Sequence, residues 1–190
     1  MQFHARIKMQ VLLSVSALAI AAAVQATTLA RLSMEQMAAA ADHVARVRCT
    51  ASESEWENGA IWTVTTFAVL ESMKGTLPPQ VKVRLPGGRM GHLTATVDGT
   101  PKFTPGDDAI VFLEQTRPGE YSVTAWSEGT FRISRDLRTG RETVTQDSSA
   151  LGVFDPATRA FRTEGVRRMP VEQFRARVAS AIERAQERTR

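Results

Sequence analysis

The sequence predicts a mainly β chain flanked by helices, an α+β fold built on an antiparallel barrel or sandwich. Three observations carry that expectation. Short runs rich in Val, Thr, Ile and Phe recur across residues 42–146, each ended by a Gly- or Pro-containing turn. A helix start is written just ahead of them, and an amphipathic helix just after them. No internal repeat or low-complexity tract competes with this reading.

Residues 1–26 are expected to be a cleaved signal peptide. Arg6 and Lys8 make a positive start, Val11–Val24 is apolar apart from Ser14 and Ser16, and Val24-Gln25-Ala26 has the small residues of a signal-peptidase site. The apolar run is shorter than the ~20 residues a spanning helix needs. Cleavage after Ala26 leaves 164 of the 190 residues, enough for one domain with a core, and implies a periplasmic or secreted protein. Its net charge becomes +2 instead of +4, since Arg6 and Lys8 are lost with no acid. That charge is uneven: residues 157–190 hold nine arginines against four glutamates. Cys49 is the only cysteine, so a hydrophobic core and not a disulfide must stabilise the exported domain.

Ser33 with Gln36 forms a capping box, so residues 27–41 read as an N-terminal helical segment, with a helix over Met34–Ala41 and Leu32 stapled against Met37. Val44–Ser54 then alternates, which puts Ala45, Val47, Cys49 and Ala51 on one face and makes Cys49 a buried small residue. Asn58-Gly59 is a two-residue hairpin turn, and Ala60–Ser72 returns as its partner strand. Lys74-Gly75 and Pro78-Pro79 end it, and Val81, Val83 and Leu85 mark the next strand. Beyond a glycine segment, a weaker strand is expected over His92–Val97, closed by Asp98-Gly99. Pro105-Gly106-Asp107-Asp108 turns into Ala109–Glu114, the strand of most buried character. Pro118-Gly119 leads to a strand over Tyr121–Trp126, and Gly129 to one over Thr130–Ser134. Thr139-Gly140 makes a further hairpin, with strands near Leu137 and over Glu142–Thr145. These complete the β-barrel region, 42–146. Residues 147–169 read as loop, with Asp155-Pro156 at a turn. Pro170 opens the last segment, 170–190, where Val171, Phe174, Val178 and Ile182 mark one helix face and arginines and glutamates the other.

Three phrases carry a resemblance. They are Asp42-His43-Val44-Ala45-Arg46-Val47, Thr65–Val69 running into Leu70-Glu71-Ser72-Met73-Lys74-Gly75, and Phe103-Thr104-Pro105-Gly106-Asp107-Asp108 followed by Ala109–Leu113. Residues 42–133 resemble the netrin-like fold of the tissue inhibitors of metalloproteinases, and more closely the exported bacterial proteins that share it. The resemblance implies an oligonucleotide/oligosaccharide-binding (OB) type barrel, closed by a C-terminal helix. The inhibitors grip a protease metal through an N-terminal cysteine. Here the expected mature N-terminus is Thr27 and Cys49 has no partner, so those inhibitory residues do not carry over.

The chemistry is sparse. Beyond the leader there are two histidines, His43 and His92, and no spacing typical of a zinc or calcium site, so no metal or cofactor is expected. Asp107-Asp108 reads as a turn residue beside a solvated charge. No Gly-x-Ser-x-Gly elbow is present and no catalytic residue is assigned. Trp56, Trp62, Tyr121 and Trp126 read as core or hairpin residues, so no nucleic-acid partner is expected. The stretch Leu85-Pro86-Gly87-Gly88-Arg89-Met90-Gly91-His92 does not fit a phosphate-binding loop, because no lysine follows Gly91. Gly87 and Gly88 read as a structural turn at a barrel corner, and Arg89 and His92 as the best-placed polar pair for a partner-binding loop. The resulting expectation is an exported, non-enzymatic binding module whose partner is another exported protein, a secreted protease among the candidates. Two alternatives stay open: an envelope-structural protein contacting anionic membrane surfaces through its basic helix, and a hydrolase whose site is assembled only in the fold.

Overall fold

The computed structural model describes residues 32–150, 153–155, 159–162 and 165–188. The expected leader and its cleavage point lie outside the described residues. Among the described residues the chain is mainly β with two α-helices. Helix α1 (Met34–Ala40) starts at the expected capping box: Gln36 N donates to Ser33 Oγ, and Ser33 N donates to the Gln36 side chain. Its last residue, Ala40, falls one short of the expected end, and Ala41 is the C-cap.

Strands β1 (His43–Glu57) and β2 (Ala60–Lys74) form one long hairpin, with Asn58 and Gly59 both at positive φ in its turn. They are followed by β3 (Gln80–Pro86), β4 (Gly88–Met90), β5 (Leu93–Ala95), β6 (Asp108–Arg117), β7 (Glu120–Val123), β8 (Thr130–Arg135) and β9 (Glu142–Gln146). Then come β10 (Val153–Asp155), β11 (Ala160–Arg162), β12 (Met169–Pro170) and helix α2 (Val171–Glu187). The large sheet has the order β1-β2-β3-β7-β6-β8-β9-β12, and β6 pairs with β1 as well. β4–β5 and β10–β11 are separate two-stranded ribbons.

Two core clusters lie on the two faces of this sheet. Ile110 and Phe112 of β6, with Val44 and Phe131, face the helices, where Met37, Phe174, Val178 and Ile182 cover them. Ala109, Val111 and Leu113 of β6 face the other way, onto Val47, Cys49, Phe67 and Val83. Both faces of β6 are therefore buried, which is why its five-residue apolar run does not alternate. On β1, Ala45, Val47 and Cys49 share a face in the second cluster, as the alternation predicts, but Ala51 does not join them, because the register shifts between Cys49 and Ala51.

Several expectations are corrected. The sheet is not wholly antiparallel: β3 and β7 run parallel at Lys82↔Glu120 and Val83↔Tyr121, across a long connection that contains β4, β5 and β6. The strand expected over His92–Val97 is present but shorter, as β5 (Leu93–Ala95). Gly91 and His92 are instead the turn between β4 and β5, so the glycine segment itself contributes a strand. β7 stops at Val123, because Ala125 and Trp126 have positive φ and Glu128 N closes a turn onto Ala125 O. Leu137 belongs to no strand and is 98% exposed; Asp136 Oδ1 accepts from Arg138 N and Thr139 N, which starts the turn one residue after β8. Residues 147–169 are not plain loop. They hold a short 3-10 helix (Asp147–Ala150), the β10–β11 ribbon and β12, and Gln146 N donating to Val166 O ties the segment to β9. Pro156 of the expected turn lies outside the described residues.

Candidate recognition cleft

β1 and β2 run on past the core, and there their inner face changes from apolar to hydroxyl. Ser52 stands opposite Thr65 and Ser54 opposite Thr63. Their hydroxyls lie 3.3 and 3.4 Å apart. The opposite face of β1 carries Glu55 and Glu57, both paired with Arg84 of β3. That guanidinium also covers the Trp62 ring, 4.9 Å from its centroid.

The chain leaving β3 folds down onto the hydroxyl face. Gly87 N donates to Ile61 O at 2.9 Å, the Thr63 hydroxyl donates to Gly87 O at 2.7 Å, and Arg89 N donates to Ser54 Oγ at 3.0 Å. Only glycine fits at this crossing. Gly88 has φ +142°, and a Cβ there would sit 2.4 Å from Ser54 Oγ and 2.5 Å from Thr63 Oγ1; at Gly87, φ +94°, it would sit 2.9 Å from Ala95 O. The glycines thus both turn the chain and let the β4–β5 ribbon lie against β1 and β2.

Between that ribbon, the far end of β1–β2 and the segment up to Phe103 lies a cleft of about 400 Å³. Leu85, Pro86, Val97 and Phe103 give it apolar surface, and Ser52, Ser54 and Thr100 give hydroxyls. Among the described residues, Arg89 and Lys102 are the charged ones lining it, and no carboxylate does. The Thr100 hydroxyl is buried with no hydrogen-bond partner among the described residues. Of the expected pair, Arg89 lines the cleft, its Nε donating to Gly91 O at 3.2 Å; His92 is exposed in the ribbon turn and does not line it. Large apolar side chains stand exposed around this end: Trp56 two residues beyond Ser54, and Met90 and Leu93 on the ribbon. Sequence reasoning missed Thr100, Lys102 and the hydroxyl floor. The one available signal was Ser52-x-Ser54 facing Thr63-x-Thr65 across the Asn58-Gly59 turn, which reads equally as a solvated strand face.

One wall of the cleft is anchored by Arg132. It pairs with Asp107 at 2.7 Å and Asp147 at 2.9 Å, donates to Lys102 O at 2.6 Å, and lies over the Phe103 ring. The Asp107-Asp108 expectation is corrected here. Asp107 does close a turn, accepting from Thr104 N, but both carboxylates are ion-paired: Asp108 holds Arg46 at 2.8 Å and Arg48 at 3.2 Å. Arg46 also reaches Glu142 at 2.9 Å; that hydrogen bond holds the Glu142 carboxyl below its usual range, while Asp108 and then Glu142 hold the guanidinium protonated.

The remaining candidates lie elsewhere. Cys49 is buried, and its thiol is pushed up by burial first and by Asp107 second. His43 sits edge-on to the buried Tyr121, centroids 5.6 Å apart. Trp62 and Trp126 line a second, smaller cleft with Arg84 and Glu114, where the Trp62 face is already taken by Arg84. Among the described residues no group of three or more His, Cys, Asp or Glu is placed to hold a metal ion, and no helix is long and apolar enough to cross a membrane. No protein-family model matches the chain, and no curated protein matches it.

Proposed function

We propose that this chain is an exported, non-enzymatic binding module of OB, netrin-like type that takes another exported protein at the cleft end. Support for the barrel is the circuit of pairings: β1 to β2, β2 to β3, β3 to β7, β7 to β6, and β6 back to β1. A five-stranded sheet that returns to its first strand has the connectivity an OB-type barrel requires, with the helices packed over its outside. The observation that carries the functional reading is the cleft itself. Its backbone is held by specific hydrogen bonds, and three of the five large apolar side chains exposed among the described residues, Trp56, Met90 and Leu93, stand on the strands that form it. Exposed aromatic and aliphatic anchors around a concave centre are the usual energetic core of a protein–protein contact.

A secreted protease is the partner class to test first. Purified residues 27–190 are titrated against a panel of secreted metallo-, serine and cysteine peptidases, reading complex formation and residual activity. At least one peptidase should bind, and Trp56→Ala with Leu93→Ala should weaken it about tenfold or more at an unchanged thermal melt. Failure to bind any member of the panel, or binding indifferent to both substitutions, contradicts the reading.

A further inference from the structure

Four features of the cleft have to be matched by one occupant. Arg89 and Lys102 line it, and among the described residues no carboxylate does. Leu85 and Phe103, themselves 1% and 4% exposed, give an apolar floor. Thr100 lines it as well, its hydroxyl buried with no hydrogen-bond partner among the described residues. Finally, among the described residues β5 has β4 as its one strand neighbour and no strand pairs with its far edge, and Thr94, Ala95, Thr96 and Val97 line the cleft.

A fatty acid satisfies the charge and the floor but leaves the strand edge idle. An internal peptide segment uses the edge but supplies charge only through an acidic side chain, whereas a C-terminus carries its carboxylate beside an apolar last side chain. We propose that the cleft receives the C-terminal end of a polypeptide, its terminal carboxylate held by Arg89 and Lys102. The last apolar side chain rests on Leu85, Pro86 and Phe103, and the last backbone groups pair along β5. The Lys102 carbonyl bound by Arg132 fixes that wall before the ligand arrives, so little ordering is left to pay on binding. The inference rests on the reading that this cleft is the recognition site, and adds the chemistry of what enters it.

The test is calorimetric titration of residues 27–190 with three probes: the peptide Ala-Ala-Val-Leu as its free acid, the same peptide as its C-terminal amide, and octanoate. The free acid should bind about tenfold more tightly than either other probe. Arg89→Gln with Lys102→Gln should reduce the acid to the affinity of the amide while the thermal melt stays in place. If that double variant melts early, Lys102→Gln alone, at an exposed position, is expected to give a partial loss of the same kind. Equal binding of acid and amide overturns the carboxylate proposal but leaves the cleft as a recognition site. Tighter binding of octanoate overturns it in favour of a lipid. No binding of any probe at millimolar concentration, together with a peptidase contact insensitive to the rim residues, removes both readings.

Discussion

Cys49 shows how a side chain's chemistry follows from where its strand is placed. Its backbone N donates to Asp107 O at 2.8 Å and its carbonyl accepts from Gly106 N at 2.9 Å, so the residue is clamped between β1 and the turn before β6. The thiol is buried and contacts Ala51 O at 3.5 Å. A thiol reagent should therefore label the folded protein slowly and the denatured protein fast. Cys49→Ser should cost about 1 kcal/mol, since a hydroxyl there can reach the same carbonyl. Rapid labelling under native conditions would contradict the placement of this strand. Glu142 supplies a pH test. Its carboxyl is lowered in the fold, chiefly by the hydrogen bond from Arg46, so the stability it contributes is present above the ordinary carboxylate value and is lost as pH falls through the lowered one. Glu142→Gln should melt below the parent at pH 7, by about 0.5 kcal/mol, and the gap should narrow as pH falls below the ordinary carboxylate range; a gap that stays the same size would mean that the pair with Arg46 is not its source.

At the scale of elements, the β4–β5 ribbon is where sequence and structure part most instructively. The Asn58-Gly59 turn, the alternation of Val81, Val83 and Leu85, and the apolar face of α2 are local patterns that each element carries in its own residues, and all three appear as expected. The ribbon is different. Its strands are three residues each, too short for alternation to register, and its position depends on Gly88 approaching two hydroxyls more than twenty residues distant in sequence. Lys102 and Thr100 are held in that wall by long-range contacts: Arg132, thirty positions beyond Lys102, bonds its carbonyl, and Ser127 N donates to Gly99 O. Composition signalled a corner at Gly87-Gly88 but not what the corner packs against. Two alanine substitutions separate these effects. Gly91→Ala, at φ +58° with open space around its Cβ, should cost about 1 kcal/mol from backbone strain alone. Gly88→Ala meets both strain and the Ser54 and Thr63 side chains, and should cost about 3 kcal/mol with loss of the ribbon's contacts. Denaturant titrations giving equal costs would show that the close approach at Gly88 is not formed.

At the scale of the molecule, α2 is part of the core as well as a carrier of charge. Phe174, Val178 and Ile182 close the first core cluster, and Arg175 and Arg184 pair with Glu71 and Glu35 of the body. Removing residues 170–190 should therefore abolish cooperative melting: Phe174→Ala alone is expected to cost about 3–5 kcal/mol against the 5–15 kcal/mol that holds a typical domain folded. A truncated protein that still melts cooperatively would contradict this role for the helix. A contact of the basic helix with an anionic surface is better tested by Arg177→Glu with Arg188→Glu, both on the exposed side of α2. The helical start, the terminal helix and the run of strands were legible from residues 32 onward because each rests on local periodicity. The parallel β3–β7 pairing and the second partner of β1 were not, because both join strands far apart in the chain.

The central claim is that recognition takes place at the end of the molecule where the ribbon crosses the β1–β2 hairpin. Hydrogen–deuterium exchange of residues 27–190, free and saturated with the tightest binder from the peptidase panel and the free-acid peptide, tests it most directly. The expected result is slowed exchange over residues 52–63 and 87–103, with β8, β9 and α2 exchanging as in the free protein. Slowed exchange confined to α2 or to the β8–β9 turn, with residues 87–103 unaffected, would contradict it.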